Sequence, residues 1–189
     1  TDLSPVSTVA TTGFTLAVGP KVPTSVATLE DFLRWCRANP GLAMLGNAGA
    51  GSMPHLMGLQ LERESRTPLT HVPYRGSGQA SIAVAGGELA SVLATEASAR
   101  PLVQAGKLRL LATAWPERSP FFPQVPTFAE QGLPVMTVRE WFGAFVPARV
   151  PPAAEQALSD ALRTALNDAD LRDTWERNCL QVDASGPAP

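Results

Sequence analysis

The sequence is poor in charged residues and has no excess of basic ones. Its 189 residues include 15 Lys and Arg against 17 Asp and Glu, which makes 17% charged residues and a net charge of −2, whereas about 25% charged residues is usual in globular proteins. Proteins that bind nucleic acids carry clustered Lys and Arg, so no nucleic-acid partner is expected. Because 44% of the residues are hydrophobic, the chain can bury a core and is not intrinsically disordered.

Long apolar segments and paired cysteines are also missing. The longest stretches without acidic residues, Lys or Arg are Leu3–Pro20 and Ala38–Leu61, and both contain polar residues, glycine and proline. A membrane-spanning helix needs about twenty consecutive apolar residues, so we predict none. Cys36 and Cys179 lack the spacing of metal or redox motifs. We interpret them as isolated small apolar residues, and a disulfide between them stays open.

Short apolar runs alternate with helical segments between Leu42 and Ala112, which predicts an α/β fold with βαβ units and a largely parallel sheet. The predicted strands of this core are Ala43–Gly46, Leu69–Val72, Leu89–Ala94 and Leu108–Ala112, and its helices are Pro54–Glu64, Ser77–Ala85 and Ala97–Ala105. Outside the core, the pattern predicts extended segments at Val6–Ala10, Phe14–Val18 and Val138–Val146, helices over Thr28–Ala38 and Thr127–Gly132, and two amphipathic helices after Pro152 and Asp168.

Side chains that could carry catalysis or hold a metal are scarce. Only two histidines, His55 and His71, are available for acid–base chemistry, and neither has an evident partner, so we interpret both as structural. No cluster of His, Cys, Asp and Glu has the spacing of metal ligands. The glycines of Gly46–Ser52 lack the spacing of dinucleotide-binding and phosphate-binding motifs. We therefore expect no enzyme, no metal and no cofactor.

Two loops that join predicted strands to helix starts are the candidate binding site. They contain Gly49, Gly51 and Ser52 in the first loop and Tyr74, Arg75, Gly76 and Ser77 in the second. Free N–H groups and the positive end of the helix dipole favour a small anion such as a carboxylate at these places, and ligands of α/β sheets bind where the strands end. Two alternatives stay open: the glycines can serve turn geometry alone, and Tyr74 and Arg75 can be ordinary loop residues.

Several short segments, in order along nearly the whole chain, are recognisable together. They are Leu45–Leu61, His71–Ser77, Ala105–Arg109 with Leu111-Ala112, Arg118–Pro120, Val125–Thr127, Gly132–Pro134 and Trp141–Phe145. Each segment is modest alone, but the ordered set is specific. It resembles the periplasmic solute-binding receptors of the tripartite tricarboxylate transporters, the Bordetella uptake gene (Bug) family.

The resemblance implies a periplasmic-binding-protein-like fold of type II, with one parallel or mixed-sheet domain flanked by helices and an incomplete second domain. It implies an intact ligand-binding lobe over residues 10–138 and assigns residues 1–9 and 139–189 to the other lobe and the hinge crossings. A typical member is longer by about one domain of N-terminal chain, which carries a Gly-rich ligand loop absent from the printed sequence.

The resemblance also implies a function and a place in the cell. The chain is expected to be a periplasmic receptor that binds a small mono- or dicarboxylate without transforming it and delivers it to the membrane permease subunits of the transporter. Thr95, Trp141 and Phe142 join the predicted ligand-binding residues at the cleft edge and hinge. The helices after Pro151 need a covering surface, and a dimer formed through the incomplete lobe is one option.

Two other classes of protein stay open on the sequence. The effector-binding domain of a cytoplasmic LysR-like transcription regulator shares a two-lobed α/β design and also senses carboxylates. A Rossmann-like enzyme is the third option, which the missing acid–base residues disfavour. A DNA-binding winged helix upstream would favour the regulator, and a secretory signal would favour the receptor.

Overall fold

The computed structural model describes residues 2–183, which form two compact units. Unit 2 comprises residues 13–139, and unit 1 consists of residues 2–12 and 140–183. The chain therefore passes between the units twice, once between Thr12 and Gly13 and once between Arg139 and Glu140.

Strands and helices alternate through unit 2. The elements in chain order are β1 (Leu3–Val18), which begins in unit 1, then α1 (Leu29–Ala38), β2 (Met44–Asn47), α2 (Met53–Ser65), β3 (Thr70–Pro73), α3 (Ser77–Ala85), β4 (Ser91–Thr95), α4 (Glu96–Gln104) and β5 (Arg109–Thr113). Short 3-10 helices lie at Pro40–Leu42 and Pro134–Met136. α3 has the predicted bounds, and α2 and α4 each begin one residue earlier than predicted.

The strands of unit 2 form a mixed sheet in the order β3-β2-β4-β1-β5. β2 pairs in parallel with β3 and β4, whereas β1 pairs antiparallel with β4 and β5. The predicted largely parallel sheet is confirmed for the four strands of the core, because β2, β3, β4 and β5 run in one direction. The sheet is mixed because β1 lies between β4 and β5 and runs in the opposite direction. The two predicted segments Val6–Ala10 and Phe14–Val18 are parts of this one strand.

Helices cover both faces of the sheet. On one face, Phe32 of α1 and Leu61 of α2 pack in a cluster with Phe14 of β1. On the other face, Val84 of α3 packs with Val92 of β4, and residues of α4 lie against the same cluster. Burying apolar groups on both faces is typical of a domain built from βαβ units.

The start of α1 shows how the sequence sets a helix boundary. Thr28 Oγ1 accepts a hydrogen bond from the Asp31 amide at 3.1 Å, and the Asp31 carboxylate accepts one from the Thr28 amide at 3.2 Å. This reciprocal capping box satisfies two backbone donors. The carboxylate is held in its ionised form, because its hydrogen bond with the Thr28 hydroxyl is the largest of several effects that lower the pKa of Asp31.

The short helix predicted over Thr127–Gly132 is wrong. Thr127 caps the segment as expected, since its Oγ1 accepts from the Glu130 amide at 3.0 Å and the Glu130 carboxylate accepts from the Thr127 amide at 2.7 Å. The segment then ends after a single turn, at which the Leu133 amide donates to the Phe128 carbonyl at 2.9 Å. Pro134 follows directly, so the segment is a set of turns.

Unit 1 contains β6 (Arg139–Pro147), which begins in unit 2, then α5 (Pro152–Leu166), α6 (Ala169–Arg177) and β7 (Gln181–Val182). β6 and β7 both pair with β1. Asp168 caps α6 as predicted, since its Oδ1 accepts from the Leu171 amide at 2.9 Å.

The apolar face of α5 is largely exposed. Leu166 is the only buried residue of this helix, all of which lies in the described part of the chain, and Leu158 is 38% exposed. Trp175 of α6 is half-buried. Within residues 2–183, no helix combines the length and the apolar character that crossing a membrane requires.

Candidate functional site

The two predicted loops lie together at one edge of the sheet. They follow β2 and β3, which are adjacent and parallel, with Asn47 opposite Pro73. The Tyr74 amide donates to the Asn47 carbonyl at 3.0 Å, and a Cβ on Gly49 would lie 3.6 Å from the Tyr74 carbonyl oxygen. The juxtaposition of the two loops is therefore confirmed, whereas the role of each residue in binding stays a prediction.

The amides of the first loop are already bonded within the loop. The Gly49 amide donates to Asn47 Oδ1 at 3.1 Å, and the Gly51 amide donates to His55 Nδ1, also at 3.1 Å. The Ser52 amide donates to the Gly49 carbonyl at 3.1 Å. In this structure the three amides hold the loop together, and the role of Gly49, Gly51 and Ser52 in binding stays a prediction.

The shape of this loop explains its glycines. Gly49 has a φ of 127° and Gly51 a φ of 78°, a region that side chains with a Cβ rarely adopt. Ser52 caps α2, since its Oγ accepts from the His55 amide at 3.4 Å and donates to the Gly49 carbonyl at 2.7 Å. Pro54 in the first turn has no N–H to satisfy. The start of α2 is therefore almost fully satisfied by the chain itself.

The start of α3 is open by contrast. Its N-cap is Gly76, which has no side chain to offer, and the first helical hydrogen bond runs from the Ala80 amide to the Gly76 carbonyl at 3.3 Å. The amides of Ser77, Gly78 and Gln79 precede that bond, and among the described residues they have no acceptor. Three free donors at the positive end of a helix favour an anion.

The side chains beside this opening differ in character. Arg75 is exposed and directly precedes Gly76, the N-cap of α3. Tyr74 is half-buried and packs against the cluster that contains Val84. Burial, with a smaller effect from the Glu88 carboxylate, raises the pKa of Tyr74. Arg75 can therefore contribute charge, and Tyr74 fixes the loop against the sheet.

The start of α4 lies at the same edge of the sheet. Thr95 ends β4, which pairs with β2, and is the N-cap of α4. Its Oγ1 lies 2.9 Å from Ser98 Oγ, with which it forms a hydrogen bond. The predicted Thr95 is therefore in the right region, and its half-buried hydroxyl is already paired.

Trp141 and Phe142 belong to unit 1, whereas the other eight predicted site residues belong to unit 2. Both lie on β6 and are 59% and 44% exposed. The Trp141 ring centroid is 6.1 Å from that of Phe145. The structure therefore describes two separate sets of candidate residues.

Asn47, which ends β2 directly before the first loop, was not predicted as a site residue. Its side chain is buried, and since Oδ1 accepts from Gly49, the Nδ2 donor is left with no partner in the described chain. Buried polar groups without partners are uncommon and mark functional or strained places. An asparagine at the end of an apolar strand, directly before a glycine-rich loop, was the available signal.

Glu96, the first residue of α4, was also missed. Its side chain is buried, and Oε2 accepts hydrogen bonds from Trp115 Nε1 at 3.1 Å and from Ser119 Oγ at 2.8 Å. Burial raises the pKa of Glu96 to about 7, and the two hydrogen bonds oppose that rise. Its partners follow about twenty residues later, and local sequence patterns give no sign of that contact.

The two histidines have partners inside unit 2. His71 Nε2 lies 3.0 Å from the Glu62 carboxylate, and the His55 ring meets the His71 ring edge-on at 5.3 Å. Both therefore have structural contacts, in line with their interpretation as structural residues. Among residues 2–183, no group of three or more His, Cys, Asp and Glu side chains could hold a metal ion.

The described fold is that of the periplasmic binding proteins. A solved structure of a periplasmic transporter matches with a TM-score of 0.89 and 34% identity, over 98% of this chain and 61% of that one. MatC from Rhodopseudomonas palustris with bound malate matches with a TM-score of 0.84 and 28% identity, over 95% of this chain and 60% of that one. Another R. palustris protein, with adipate, matches with a TM-score of 0.88 and 25% identity, over 99% of this chain and 62% of that one.

Sequence comparison defines the family more narrowly. Residues 1–185 match the model of the tripartite tricarboxylate transporter family receptor, and the chain belongs to this family, whose members are receptors and not enzymes. It is 33% identical over 173 residues to the UPF0065 protein in the gbd 5′ region of Cupriavidus necator, covering 92% of this chain and 52% of that protein. It is 30% identical over 165 residues to BugT of Bordetella pertussis, covering 87% and 50%. The chain thus spans about half the length of these relatives.

Proposed function

We propose that this chain is part of a periplasmic receptor that binds a small mono- or dicarboxylate and delivers it to the membrane permease subunits of a tripartite transporter. The observation that carries the proposal is the open start of α3, with three unpaired amides beside the exposed Arg75. Family membership supports the receptor class. The malate and adipate bound to related structures support a carboxylate as the ligand.

Binding in this proposal needs no covalent chemistry. A ligand carboxylate accepts hydrogen bonds from the amides of Ser77, Gly78 and Gln79, where the helix dipole adds to the attraction. The Arg75 guanidinium can pair with a carboxylate oxygen. Ordered water can complete the shell of the ligand, as in other polar binding sites.

The first loop has a supporting role in this proposal. Gly49, Gly51 and Ser52 stay predicted binding residues, and each of their amides would have to leave a partner within the loop before donating to a ligand. Breaking such a bond costs part of what the new bond contributes. The amides of α3 carry no such cost, so we expect them to dominate the affinity.

Calorimetric titration of a full-length receptor that contains this chain, with malate and with adipate, tests the site. Proline is tolerated at the first position of a helix, so Ser77→Pro removes one amide donor and preserves α3. A hydrogen bond to a charged group contributes about 1.5–3 kcal/mol, so we expect Kd to rise by roughly ten- to hundredfold.

Two control variants isolate the amide. Ser77→Ala keeps the N–H group and loses only the hydroxyl, and Ala169→Pro makes the same proline change at the start of α6 in unit 1. Both should bind within a few-fold of the unmodified chain. Equal affinities of the Ser77→Pro and Ser77→Ala variants, or binding of neither dicarboxylate by the unmodified full-length receptor, would count against the site.

Unit 1 bears on the partners of the chain. Leu158 of α5 and Trp141 and Phe145 of β6 are all more than a third exposed, which is unusual for large apolar side chains grouped in one small unit. This exposure supports the proposal that unit 1 is part of an incomplete lobe that is covered by further polypeptide or by a second copy. Sedimentation velocity distinguishes a dimer from a monomer.

The regulator alternative makes a different prediction about the gene. A receptor is expected to have a secretory signal and a Gly-rich ligand loop encoded upstream of Thr1, whereas a LysR-like regulator is expected to have a DNA-binding winged helix there. Reading the upstream gene sequence separates the two proposals.

A further inference from the structure

Trp115, which belongs to unit 2, contacts the first and the last residue of this unit. We call these two ends of the unit, at Gly13 and Arg139, its exits. A Cβ on Gly13, the first residue of unit 2, would overlap Nε1 and Cδ1 of the Trp115 indole and lie 2.8 Å from its Cε2. The guanidinium carbon of Arg139, the last residue of unit 2, is 5.8 Å from the centre of the same ring. The backbone at one exit therefore lies against the indole, and a cation at the other exit lies over it.

The residue before Trp115 connects the same two exits through the backbone. The Ala114 amide donates to the Phe14 carbonyl at 2.8 Å, and the Ala114 carbonyl accepts from the Val138 amide at 2.9 Å. Phe14 follows Gly13, and Val138 precedes Arg139. The dipeptide Ala114-Trp115 thus contacts the segments at Phe14 and Val138, which are far apart in the sequence, through both its side chain and its backbone.

The Trp115 indole is itself held in place by burial and by a hydrogen bond. Trp115 is 5% exposed, and its Nε1–H donates to Glu96 Oε2 at 3.1 Å. The same oxygen accepts from Ser119 Oγ at 2.8 Å, and Glu96 begins α4, which packs on the sheet. The contact with the two exits therefore rests on a buried, hydrogen-bonded support.

We propose that Ala114 and Trp115, supported by Glu96, form a clamp that couples the two exits of unit 2. The hydrogen bonds that Ala114 makes with Phe14 at one exit and with Val138 at the other then break and re-form together. A tryptophan that merely fills the core would stabilise unit 2 as a whole, whereas the clamp couples Phe14 and Val138 specifically. The use of this coupling in a receptor rests on the proposed function: connections that move together provide one pivot and not two independent ones. The coupling itself needs no ligand.

Hydrogen exchange of the full chain, resolved by NMR, tests the clamp without any ligand. The Ala114 amide reports on the first exit and the Val138 amide on the second, because each is one of the hydrogen bonds described above. In the Trp115→Phe variant, which removes the indole N–H, both amides should exchange at least tenfold faster relative to the Phe32 amide of α1. Global destabilisation would accelerate all three alike.

Trp35→Phe is the matched control. Trp35 is partly buried against the larger core cluster of unit 2, so the same substitution there should leave the ratio of exchange rates unchanged. Acceleration of only one of the two exit amides in Trp115→Phe, or an equal response in both variants, would overturn the proposal.

Gly13→Ala tests the coupling from one side and does not touch Trp115 chemically. The added methyl displaces the indole at the first exit, and the clamp requires the Val138 amide at the second exit to exchange at least tenfold faster as well. Gly41→Ala, where a Cβ meets nothing within 4 Å, is the control and should leave Val138 unchanged. Unchanged exchange of Val138 in Gly13→Ala would also overturn the proposal.

Discussion

Replacing Glu96 with glutamine should remove a pH-dependent loss of stability from the protein. The Glu96 carboxyl is buried at the start of α4, where one of its oxygens accepts from Trp115 and Ser119 and the other has no partner in the described chain. Burial raises its pKa from the ordinary 4.5 to about 7. Glutamine keeps an oxygen that can accept from both donors, and it does not titrate.

The sign and size of the effect follow from this pKa. Because the pKa is higher in the folded chain, the folded state binds the proton of Glu96 more tightly than the unfolded state does. The free energy of unfolding therefore falls as the pH rises from 4.5 through about 7. The difference between 4.5 and about 7, at about 1.4 kcal/mol for each pH unit, amounts to roughly 3 kcal/mol.

Urea unfolding followed by circular dichroism at several pH values between about 4 and 8 measures this difference. The stability of Glu96→Gln minus that of the unmodified chain should increase by roughly 3 kcal/mol across the range. Subtraction removes the contributions of other carboxyl groups, including Asp31 and Glu130, whose lowered pKa values act in the opposite direction. Glu117→Gln makes the same substitution at an exposed position in the segment that joins Trp115 to Ser119 and is the matched control.

One result would refute the reasoning. If the difference between Glu96→Gln and the unmodified chain stays constant or shrinks with rising pH, the hydrogen bonds from Trp115 and Ser119 outweigh burial. Glu96 would then be ionised in the folded protein, and its support of Trp115 would be a charge-assisted one.

Two further predictions concern packing. Gly58→Ala should lower the free energy of unfolding by about 2 kcal/mol, because a Cβ there would lie 2.8 Å from His71 Cε1 and 2.9 Å from Leu45 Cδ2. Gly41→Ala is the control, and equal urea midpoints for the two variants would contradict this prediction. Burial raises the pKa of the Cys36 thiol to about 12, so this thiol should react with Ellman's reagent at least a hundredfold more slowly in the native chain than in urea. Rapid native labelling of a Cys179→Ala variant would contradict it.

Local sequence signals predicted α1 to α4 of unit 2 well but did not predict that β1 lies inside the sheet as an antiparallel strand. Thr28 and Ser52 cap their helices through their own side chains, so the boundaries of α1 and α2 are written in neighbouring residues. The position of β1 depends on its pairing with β4 and β5, whose paired residues lie from Ser91 to Thr113, far along the chain from Phe14–Val18. No local period encodes that pairing, because register depends on the faces that the tertiary fold buries.

The candidate site was predictable in place but not in detail. Strand ends followed by glycine-rich helix starts predicted that the two loops meet at one edge of the sheet, and they do. Their role in binding stays a prediction. That the Gly51 amide donates to His55, and the Gly49 amide to Asn47, depends on side-chain conformations that spacing does not determine. Trp115 carries no local sequence signal of its role either, because its contact with Gly13 exists only in the folded unit.

The N-cap residues found in the structure separate the two helix starts, although the sequence offers a serine at both: Ser77 is the first residue of α3, and its N-cap is Gly76. Ser52 can satisfy a backbone donor of its own helix, whereas Gly76 cannot. A capped helix start favours stability, and an uncapped one keeps its donors for another partner. Glycine at an N-cap costs only a few tenths of a kcal/mol relative to serine, so the opening at α3 is compatible with a stable fold. The helix that a sequence leaves without a capping side chain is therefore the better candidate for binding an anion, and here that helix is α3.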